Sequence, residues 1–274
     1  MGGTRVLVTG STGNLGEKAL TALRALSDVT VVRIGRNSKG GGDVIPADLE
    51  VFDPKWAQAF VGVDTVLHLA ADPKPVATWE SVQALNVDLA LNVLRASEEA
   101  GVRRFVFASS NWVLGGYRFT NQALAADTPP RPINPYGASK LFIERAGISQ
   151  SLRTGMSFLS LRIGYCAPGE NTPGPQMAFG RWGQEMWLSN EDWAQAVVKS
   201  CTAPFEGAAV INIMSENRGM RWDLEGARAA IGYVPTSRHI PVLGPMDRVR
   251  DFAARLREAV FPQFSDVPRF GRRW

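Results

Sequence analysis

The sequence predicts an α/β fold, a doubly wound parallel sheet with a small C-terminal lobe. Short apolar runs alternate regularly with helical patterns along the 274 residues, which is typical of βαβ units. These runs are apolar at nearly every position, as in strands that helices cover on both faces. A Gly- and Pro-rich stretch at 165–189 predicts loops over the carboxyl edge of the sheet, where ligands bind in open α/β sheets.

The elements follow one another in pairs of strand and helix. The predicted strands, each rich in β-branched or aromatic residues, are RVLVTG, VTVVRIG, DTVLHLAA, RFVFASS, MSFLSLRIG and AAVINIM. The helices that follow them are predicted at 14–27, about 54–61, 79–100, 136–150, 190–202 and 222–232. Residues 1–164 then form the first part of the core. Residues 165–274 add the remaining core elements and the lobe, all within a single integrated domain.

Composition and charge exclude several classes of protein. Hydrophobic residues at 45% and charged residues at 20% are ordinary for a folded domain. The net charge of +4 is modest and the basic residues are scattered apart from the terminal RFGRRW, so no nucleic-acid surface is indicated. Cys166 and Cys201 lack ligand-type spacing to His68 or His239, so we expect neither disulfides nor a metal site. With no leader-like start and no apolar run near the roughly 18 residues of a membrane span, a cytoplasmic protein is expected.

Three glycines separate the first strand from the first helix in VLVTGSTGNLGEKAL. In this context the first glycine permits a tight turn, the second lets backbone N–H groups approach a pyrophosphate, and the third lets the helix pack closely on its strand. The helix N-terminus favours the negative phosphates, so the pattern predicts a dinucleotide site in a Rossmann-type fold. A packing turn without a ligand is the alternative. The predicted cofactor contacts are Gly10, Thr12, Gly13, Asn14, Leu15 and Gly16.

The end of the second strand indicates which dinucleotide binds. An acid there binds the ribose 2′-hydroxyl of NAD, whereas an arginine holds the 2′-phosphate of NADP. No Asp or Glu occurs at 29–42, where Arg33, Arg36 and Lys39 stand instead. A guanidinium–phosphate bond is worth about 1.5–3 kcal/mol, enough for a preference of roughly ten- to a hundredfold. We therefore expect NADP, held by Arg36; the alternative is a solvated Arg36 and acceptance of both NADP and NAD.

The stretch NPYGASKLFIE places Tyr136 and Lys140 on one face of a helix, and FVFASSNWVLGG ends a strand with Ser109 and Ser110. A tyrosine with an ordinary pKa near about 10 needs its phenolate stabilised by about 4 kcal/mol to exchange protons near neutrality. An ammonium about 4 Å away supplies roughly that amount. We therefore predict a Tyr136 proton donor, a Lys140 that lowers its pKa and a serine that holds the substrate oxygen. A purely structural role is the alternative.

Taken together, these motifs resemble the extended short-chain dehydrogenase/reductase family, the NAD-dependent epimerase/dehydratase group, over residues 4–235. HLAA, NVDLALNVLRAS and LRIG also match. The resemblance implies that Ser110 is the catalytic serine and that Asp48 and Leu49 contact the adenine. It implies further cofactor contacts at Leu69, Ala70, Ala71, Tyr136, Lys140 and Ile163. Within the family the chain is most similar to uronate dehydrogenases, which oxidise uronic acids with NAD.

Three positions depart from the uronate dehydrogenase pattern. Trp112 stands in place of a histidine and Pro73 in place of a serine, and Arg181 is one place from the carboxylate-binding arginine. With the aromatic residues of 165–189, these changes favour a bulkier and less hydrophilic substrate. The tryptophans alternatively belong to the core or to a dimer interface, and Asp72 either touches the substrate or caps a helix. The predicted substrate contacts are Asp72, Ser110, Asn111, Trp112, Tyr165 and Arg181.

The expected function is that of an NADP(H)-preferring oxidoreductase acting on a carbonyl, alcohol or lactol of a small, rather apolar or cyclic substrate. The alternatives are an NAD-dependent uronate or sugar dehydrogenase, a nucleotide-sugar epimerase or dehydratase, and a non-enzymatic NADP sensor. The resemblance also leaves a homodimer open, since the helices at 79–100 and 136–150 pair in related proteins. Neither nucleic acid nor a membrane is an expected partner.

Overall fold

One parallel sheet organises the molecule. The computed structural model describes residues 3–36 and 43–260. Within these residues seven parallel strands lie in the order β3-β2-β1-β4-β5-β6-β7. The strands are β1 Thr4–Thr9, β2 Val29–Gly35, β3 Val44–Pro46, β4 Thr65–His68, β5 Arg104–Ser110, β6 Ser157–Ile163 and β7 Ala208–Ile213. The direction of winding reverses between β1 and β4, so the crevice at their carboxyl ends is the expected ligand site. The predicted Rossmann-type fold is confirmed.

Helices connect the strands and cover the sheet. The α-helices are α1 Asn14–Arg24, α2 Pro54–Ala57, α3 Trp79–Val82, α4 Leu89–Glu99, α5 Pro135–Thr154, α6 Gly180–Glu185, α7 Asn190–Thr202, α8 Glu225–Ile231 and α9 Pro245–Val260. The described residues also contain two short 3₁₀ segments, Gln58–Phe60 and Asn111–Tyr117, and a π-helical segment, Gln83–Asp88. In the described part of the chain, no helix is long and apolar enough to span a membrane.

The core has two layers because strand side chains alternate between the faces of the sheet. Val6 and Val8 of β1 pack with α1, α7 and α8 on one face. Leu7, between them in sequence, packs with α2, α4 and α5 on the other. Both faces are therefore apolar and covered, which is why the strands are apolar at nearly every position. The elements after residue 164 contribute to this same core, since β7 pairs with β6 and α7 packs on α1.

The helix predicted at 79–100 contains a π-helical segment that the sequence pattern does not predict. Asn86 lies in that segment and is buried. Its amide accepts a hydrogen bond from the Asp72 backbone N–H at 2.7 Å and donates to the Ser139 hydroxyl at 3.1 Å. The widened turn thus places one side chain between the loop after β4 and helix α5. π-Helical turns are rare and are found mostly at functional sites.

Candidate active site

A cavity of about 680 Å³ opens at the carboxyl ends of β1, β4, β5 and β6. Its size is typical of a site for a small molecule or cofactor. The glycine-rich turn lines one end and the residues after β5 and β6 line the other. The cavity therefore lies at the switch point of the sheet, where an open α/β fold binds its ligands.

The glycine turn fits a phosphate group. Gly10 has φ of 66°, and a Cβ there would come within 2.6 Å of the Ala70 backbone nitrogen. A Cβ on Gly16 would collide with the Gly10 carbonyl oxygen. Gly13 differs, because its φ is −87° and a Cβ there would meet only the Gly10 oxygen, at 3.4 Å. The protein's own packing thus requires glycine at 10 and 16, whereas the space beside Gly13 is open for a ligand.

The N-terminus of α1 faces the same space. Gly13 is the N-cap and supplies no side-chain hydrogen bond to the first turn. Unsatisfied N–H groups and the helix dipole favour a negative group at such an end. Asn14 donates from Nδ2 to the Cys166 carbonyl at 2.8 Å, and Lys18 donates to the Ala167 carbonyl at 2.6 Å. These bonds join α1 to the loop after β6, on the opposite side of the cavity.

Both arginines at the end of β2 have acidic partners that lie outside residues 29–42. Arg33 is buried, donates to the Ser11 hydroxyl at 3.2 Å and pairs with Asp43 at 3.0 Å. Arg36 lines the cavity, remains 61% exposed and pairs with Glu50 at 2.7 Å. The third predicted cation, Lys39, lies outside the described residues.

Most of the predicted cofactor contacts lie on the cavity wall. Those that line it are Gly10, Thr12, Gly13, Asn14, Leu15, Gly16, Arg36, Leu49, Leu69, Ala70, Ala71, Tyr136, Lys140 and Ile163. Asp48 is the exception, because it is exposed and its Oδ1 accepts from the Glu50 backbone N–H at 3.2 Å. Its carboxylate shapes the turn after β3, while Ala47 and Leu49 line the cavity.

The predicted catalytic side chains meet at the other end of the cavity. Ser110 ends β5, and Tyr136 and Lys140 project from successive turns of α5. The Asn134 side chain caps α5 by accepting from the Gly137 N–H at 2.7 Å, which fixes the turn that carries Tyr136. The Ser110 hydroxyl bonds the phenol of Tyr136 and also accepts from the Trp112 N–H at 3.2 Å.

Burial sets the protonation of Tyr136 and Lys140. Burial raises the pKa of Tyr136 to about 12, against the opposing effect of the Ser110 hydrogen bond. Burial also lowers the pKa of Lys140 to about 7. The Lys140 ammonium donates to the Ala108 carbonyl at 2.8 Å and lies 5.7 Å from the centroid of the Tyr136 ring. In this arrangement desolvation outweighs the Ser110 hydrogen bond, and the effect of Lys140 on the pKa of Tyr136 stays a prediction.

Ser109 is engaged in a separate buried network. It donates to Glu144 at 2.6 Å, and Glu144 pairs with Arg162 at 2.9 Å. Arg162 also donates to the Ala126 carbonyl at 3.1 Å, and both members of the pair are almost completely buried. This network leaves Ser110 as the serine that bonds Tyr136.

The substrate end of the cavity has an apolar wall. Trp112 packs against Tyr136, and Phe179 meets Trp112 edge to face with ring centroids 5.2 Å apart. Tyr165 meets the other side of Phe179 at 6.2 Å. Asn111 is a buried polar neighbour whose Nδ2 donates to the Ile163 carbonyl at 2.8 Å. Its Oδ1 has no hydrogen-bond partner in the described part of the chain.

Two predicted substrate contacts do not line the cavity. Arg181 pairs with Asp251 of α9 at 3.1 Å. Asp72 accepts from the Ser81 hydroxyl at 2.6 Å and from the Lys74 N–H at 3.1 Å, so it organises the start of α3. In this structure both side chains are bonded to other protein groups outside the cavity lining, so their contact with a substrate stays a prediction.

The aromatic residues of 165–189 divide into two groups. Trp182 packs on Trp222 with centroids 4.7 Å apart, and Trp187 donates to the Asn171 carbonyl at 3.0 Å, so both serve the core. Phe179 lines the cavity together with Ala178 and Met186, which the sequence reasoning did not single out. Leu85, Leu89 and Pro75 were likewise missed, because apolar residues carry no signal that separates a cavity wall from a core.

Comparison with known proteins matches this geometry to a family. Residues 6–174 match the model of the NAD dependent epimerase/dehydratase family. The chain belongs to this family. The prediction of a short-chain dehydrogenase/reductase of this group is therefore confirmed.

Several members of the epimerase/dehydratase family are similar over most of the chain. L-arabinose 1-dehydrogenase (NAD(P)(+)) of Haloferax volcanii is 33% identical over 254 residues, 87% of this chain and 99% of that protein. Uronate dehydrogenase of Pseudomonas putida is 31% identical and covers 84% of this chain and 83% of its own. The crystal structure of uronate dehydrogenase from Agrobacterium tumefaciens is 26% identical, with a TM-score of 0.71 over 87% of this chain and 86% of that one.

Proposed function

We propose that the protein is an NADP(H)-preferring oxidoreductase that acts on a carbonyl, alcohol or lactol of a small, rather apolar or cyclic substrate. The observation that carries this proposal is the meeting of Ser110, Tyr136 and Lys140 at one end of a cavity whose other end is a glycine turn open beside Gly13. Such a cavity holds the reacting group of the substrate against the reactive end of a dinucleotide.

Each of the three side chains has a part in the proton transfer. A bound nicotinamide supplies the hydride donor or acceptor, and its oxidised form adds positive charge to the site. Ser110 holds the substrate oxygen through its hydroxyl. Tyr136 gives that oxygen a proton in reduction and takes one in oxidation. Lys140 is buried one helical turn after Tyr136, and its ammonium stabilises the phenolate.

Two free energies indicate how strongly the phenolate of Tyr136 must be stabilised to form near neutral pH. Bringing a pKa of about 12 down to neutrality corresponds to about 7 kcal/mol in favour of the phenolate. An ammonium about 4 Å from the phenolate contributes about 4 kcal/mol at an effective dielectric constant of about 20. At that distance Lys140 would supply the larger share of this stabilisation.

NADP preference is supported by the charges at the end of β2. Arg36 lines the cavity, and of the described residues on the wall none carries a carboxylate that would bind a 2′-hydroxyl. Glu50 pairs with Arg36 and competes with a phosphate for its guanidinium. A 2′-phosphate at Arg36 would gain a charge-assisted bond.

Replacing Arg36 tests the cofactor preference. Arg36→Ala should weaken NADPH binding about tenfold or more and leave NADH binding almost unchanged, as measured by fluorescence titration. Arg95→Ala is the matched control, because Arg95 is also an exposed arginine in a 2.7 Å ion pair, away from the cavity. Equal affinity of the unmodified protein for NADH and NADPH would contradict the preference.

A second candidate is an NAD-dependent uronate or sugar dehydrogenase, which the similarity to L-arabinose 1-dehydrogenase and to uronate dehydrogenase favours. Nucleotide-sugar epimerases are less well supported, since UDP-glucose 4-epimerase of Azospirillum brasilense matches only 55% of this chain. Among the proposed substrate contacts, Asn111 has an acceptor oxygen without a partner among the described residues, and Trp112 and Tyr165 supply apolar surface. All of these activities would use the same Ser110, Tyr136 and Lys140.

Removing one hydroxyl tests the catalytic assignment. Tyr136→Phe should lower turnover about 1,000-fold, because the phenol transfers a proton. Cofactor affinity should stay within about threefold, because the glycine turn that binds the phosphates is unchanged. Tyr117→Phe is the matched control, since Tyr117 is a buried tyrosine bonded to the Pro129 carbonyl outside the cavity wall. Unchanged turnover in Tyr136→Phe would overturn the proposed function. A non-enzymatic NADP sensor would lose nothing in either variant.

A further inference from the structure

The charges on the cavity wall bear on the kind of substrate it accepts. Of the described residues on the wall, Arg36 and Lys140 are the charged ones. Arg36 lies at the end of β2 and pairs with Glu50. Lys140 donates to the Ala108 carbonyl and serves Tyr136. Among the described residues, the substrate end of this wall therefore offers no cation besides Lys140 for a carboxylate or phosphate.

Nearby arginines are engaged outside the wall. Arg181 pairs with Asp251. Arg221 pairs with Glu185 and lies over the rings of the buried Trp182–Trp222 pair. Arg118 lies with its guanidinium 4.4 Å from the Phe119 ring centroid and 5.9 Å from that of Trp112, and it does not line the cavity.

An aromatic side chain is held at the substrate end in an unfavourable backbone conformation. Phe179 has φ of 70°, a left-handed value that L side chains rarely adopt. Its ring packs edge to face on Trp112, which in turn contacts Tyr136. Strained residues of this kind persist where the surrounding structure holds them in place, and they cluster at ligand sites. Phe179 thus presents apolar surface close to the reacting phenol.

From this wall we propose that the substrate is an uncharged cyclic hemiacetal, a neutral lactol, and that uronates and sugar phosphates are excluded. This inference rests on the proposed function and specifies its substrate. A neutral ring places its C–H face on the aromatic wall and its hydroxyls at Ser110 and Asn111. An anionic substituent would be buried against Trp112 and Phe179 without a partner, which strongly disfavours binding.

The reaction of such a substrate balances without further reagents. The anomeric C–H bond of the lactol breaks and its hydrogen leaves with both electrons, as hydride, to the oxidised nicotinamide. The proton of the anomeric hydroxyl passes to the phenolate of Tyr136. The anomeric carbon becomes the carbonyl carbon of a lactone, and the nicotinamide is reduced by two electrons.

A substrate panel on the unmodified enzyme tests the inference. L-arabinose, D-galactose and 2-hydroxytetrahydropyran are compared with D-galacturonate and D-glucose 6-phosphate, each with NADP⁺ and NAD⁺. We expect kcat/KM for at least one neutral lactol to exceed that for both anions by about 100-fold. Oxidation of an anion as fast as the best neutral lactol would overturn the inference and leave the proposed function standing. Failure to oxidise any of the five with either cofactor would also overturn the inference, whereas the Tyr136→Phe variant tests the proposed function.

A charge placed at the wall gives an independent test. Ala178 lines the cavity and is exposed, so it accepts a longer side chain without entering the core. Ala178→Lys should raise kcat/KM for galacturonate about tenfold relative to Ala178→Met, which is similar in length and uncharged. The neutral lactols should respond alike to both variants, and NADPH titration verifies that each variant is folded. Equal galacturonate activity in the two variants would contradict the inference.

Discussion

Positions 13 and 16 are both glycine, but the physical reason for the missing side chain differs between them. Gly16 lies where a Cβ would collide with the Gly10 carbonyl, so the fold of the turn depends on it. Gly13 has an ordinary φ, and a Cβ there would be in van der Waals contact only. The residue pattern alone identifies both as glycines of a phosphate turn, and the structure separates the glycine needed for packing from the one needed for the ligand.

This difference predicts opposite outcomes for two alanine variants. Gly13→Ala should weaken NADPH binding about tenfold or more with little change in stability, because its methyl group occupies space at the phosphates. Gly16→Ala should lower the free energy of unfolding by about 1–3 kcal/mol through overpacking. Denaturant unfolding and cofactor titration of both variants measure the two effects. A Gly13→Ala protein that binds NADPH normally would contradict the assignment of this turn.

At the residue scale the sequence anticipates side chains that act locally and misses partners from distant segments. Tyr136, Lys140 and Ser110 follow from a helical spacing and a strand end, and all three line the cavity. The pairing of Arg36 with Glu50 and of Arg181 with Asp251 depends on how separate segments approach one another. No spacing rule within one segment contains that information.

Helix α5 connects the site to the core. Tyr136, Lys140 and Glu144 recur at intervals of four residues, so they share one face of the helix. Glu144 is the member of this row that does not line the cavity, and it forms the buried pair with Arg162 of β6. A buried ion pair that loses one partner leaves an uncompensated charge. The pair therefore fixes α5 against the sheet that positions Ser110.

We predict that Glu144→Gln lowers the free energy of unfolding by about 3–5 kcal/mol, because Arg162 would then be buried without its counter-charge. Glu98→Gln is the control, since Glu98 of α4 forms a surface ion pair with Arg153, which lies in α5 like Glu144. It should leave the melting temperature nearly unchanged. Denaturant unfolding of both variants checks the prediction, and equal stability of the two would contradict it.

At the element scale, long periodic segments are predictable and short ones are not. Strands β2 and β5 and helix α7 have the predicted bounds. Strand β3 has three residues and ends in proline, so no periodicity identifies it. The side chain of Asn86 in the π-helical segment bonds residues of two other segments. A helical pattern within one segment gives no information about such partners. Helix α6 lies within the stretch that is predicted as loops, and the sequence pattern predicts no element at α9.

At the scale of the whole molecule, exposed apolar side chains on the helices of one face support a homodimer. Phe142 and Leu152 of α5 are 51% and 82% exposed, and Leu91 of α4 is also exposed. Single exposed apolar residues are ordinary, but a group on neighbouring helices is typical of an interface. These are the helices that the family resemblance implicates in dimers, so we propose that they pair in a symmetric dimer.

Phe142→Asp should convert the proposed dimer to monomers, because a carboxylate would be buried at the two-fold interface. Light scattering coupled to gel filtration measures the mass of the protein, whose chain is 29.8 kDa. Val61→Asp, at an exposed apolar residue of another element, is the control that should remain dimeric. A monomeric unmodified protein, or a dimer unaffected by Phe142→Asp, would contradict the proposal.

The fold brings the charge of Lys140 and the phenol of Tyr136 into one buried site, and the function proposed depends on their coupling. The pH dependence of kcat/KM for lactol oxidation measures that coupling most directly. Removing the cation by Lys140→Met favours the neutral phenol, so the apparent pKa of the rising limb should move to higher pH by about 3 units, equivalent to about 4 kcal/mol. Superimposable profiles for the two proteins would contradict a role for Lys140 in stabilising the phenolate of Tyr136.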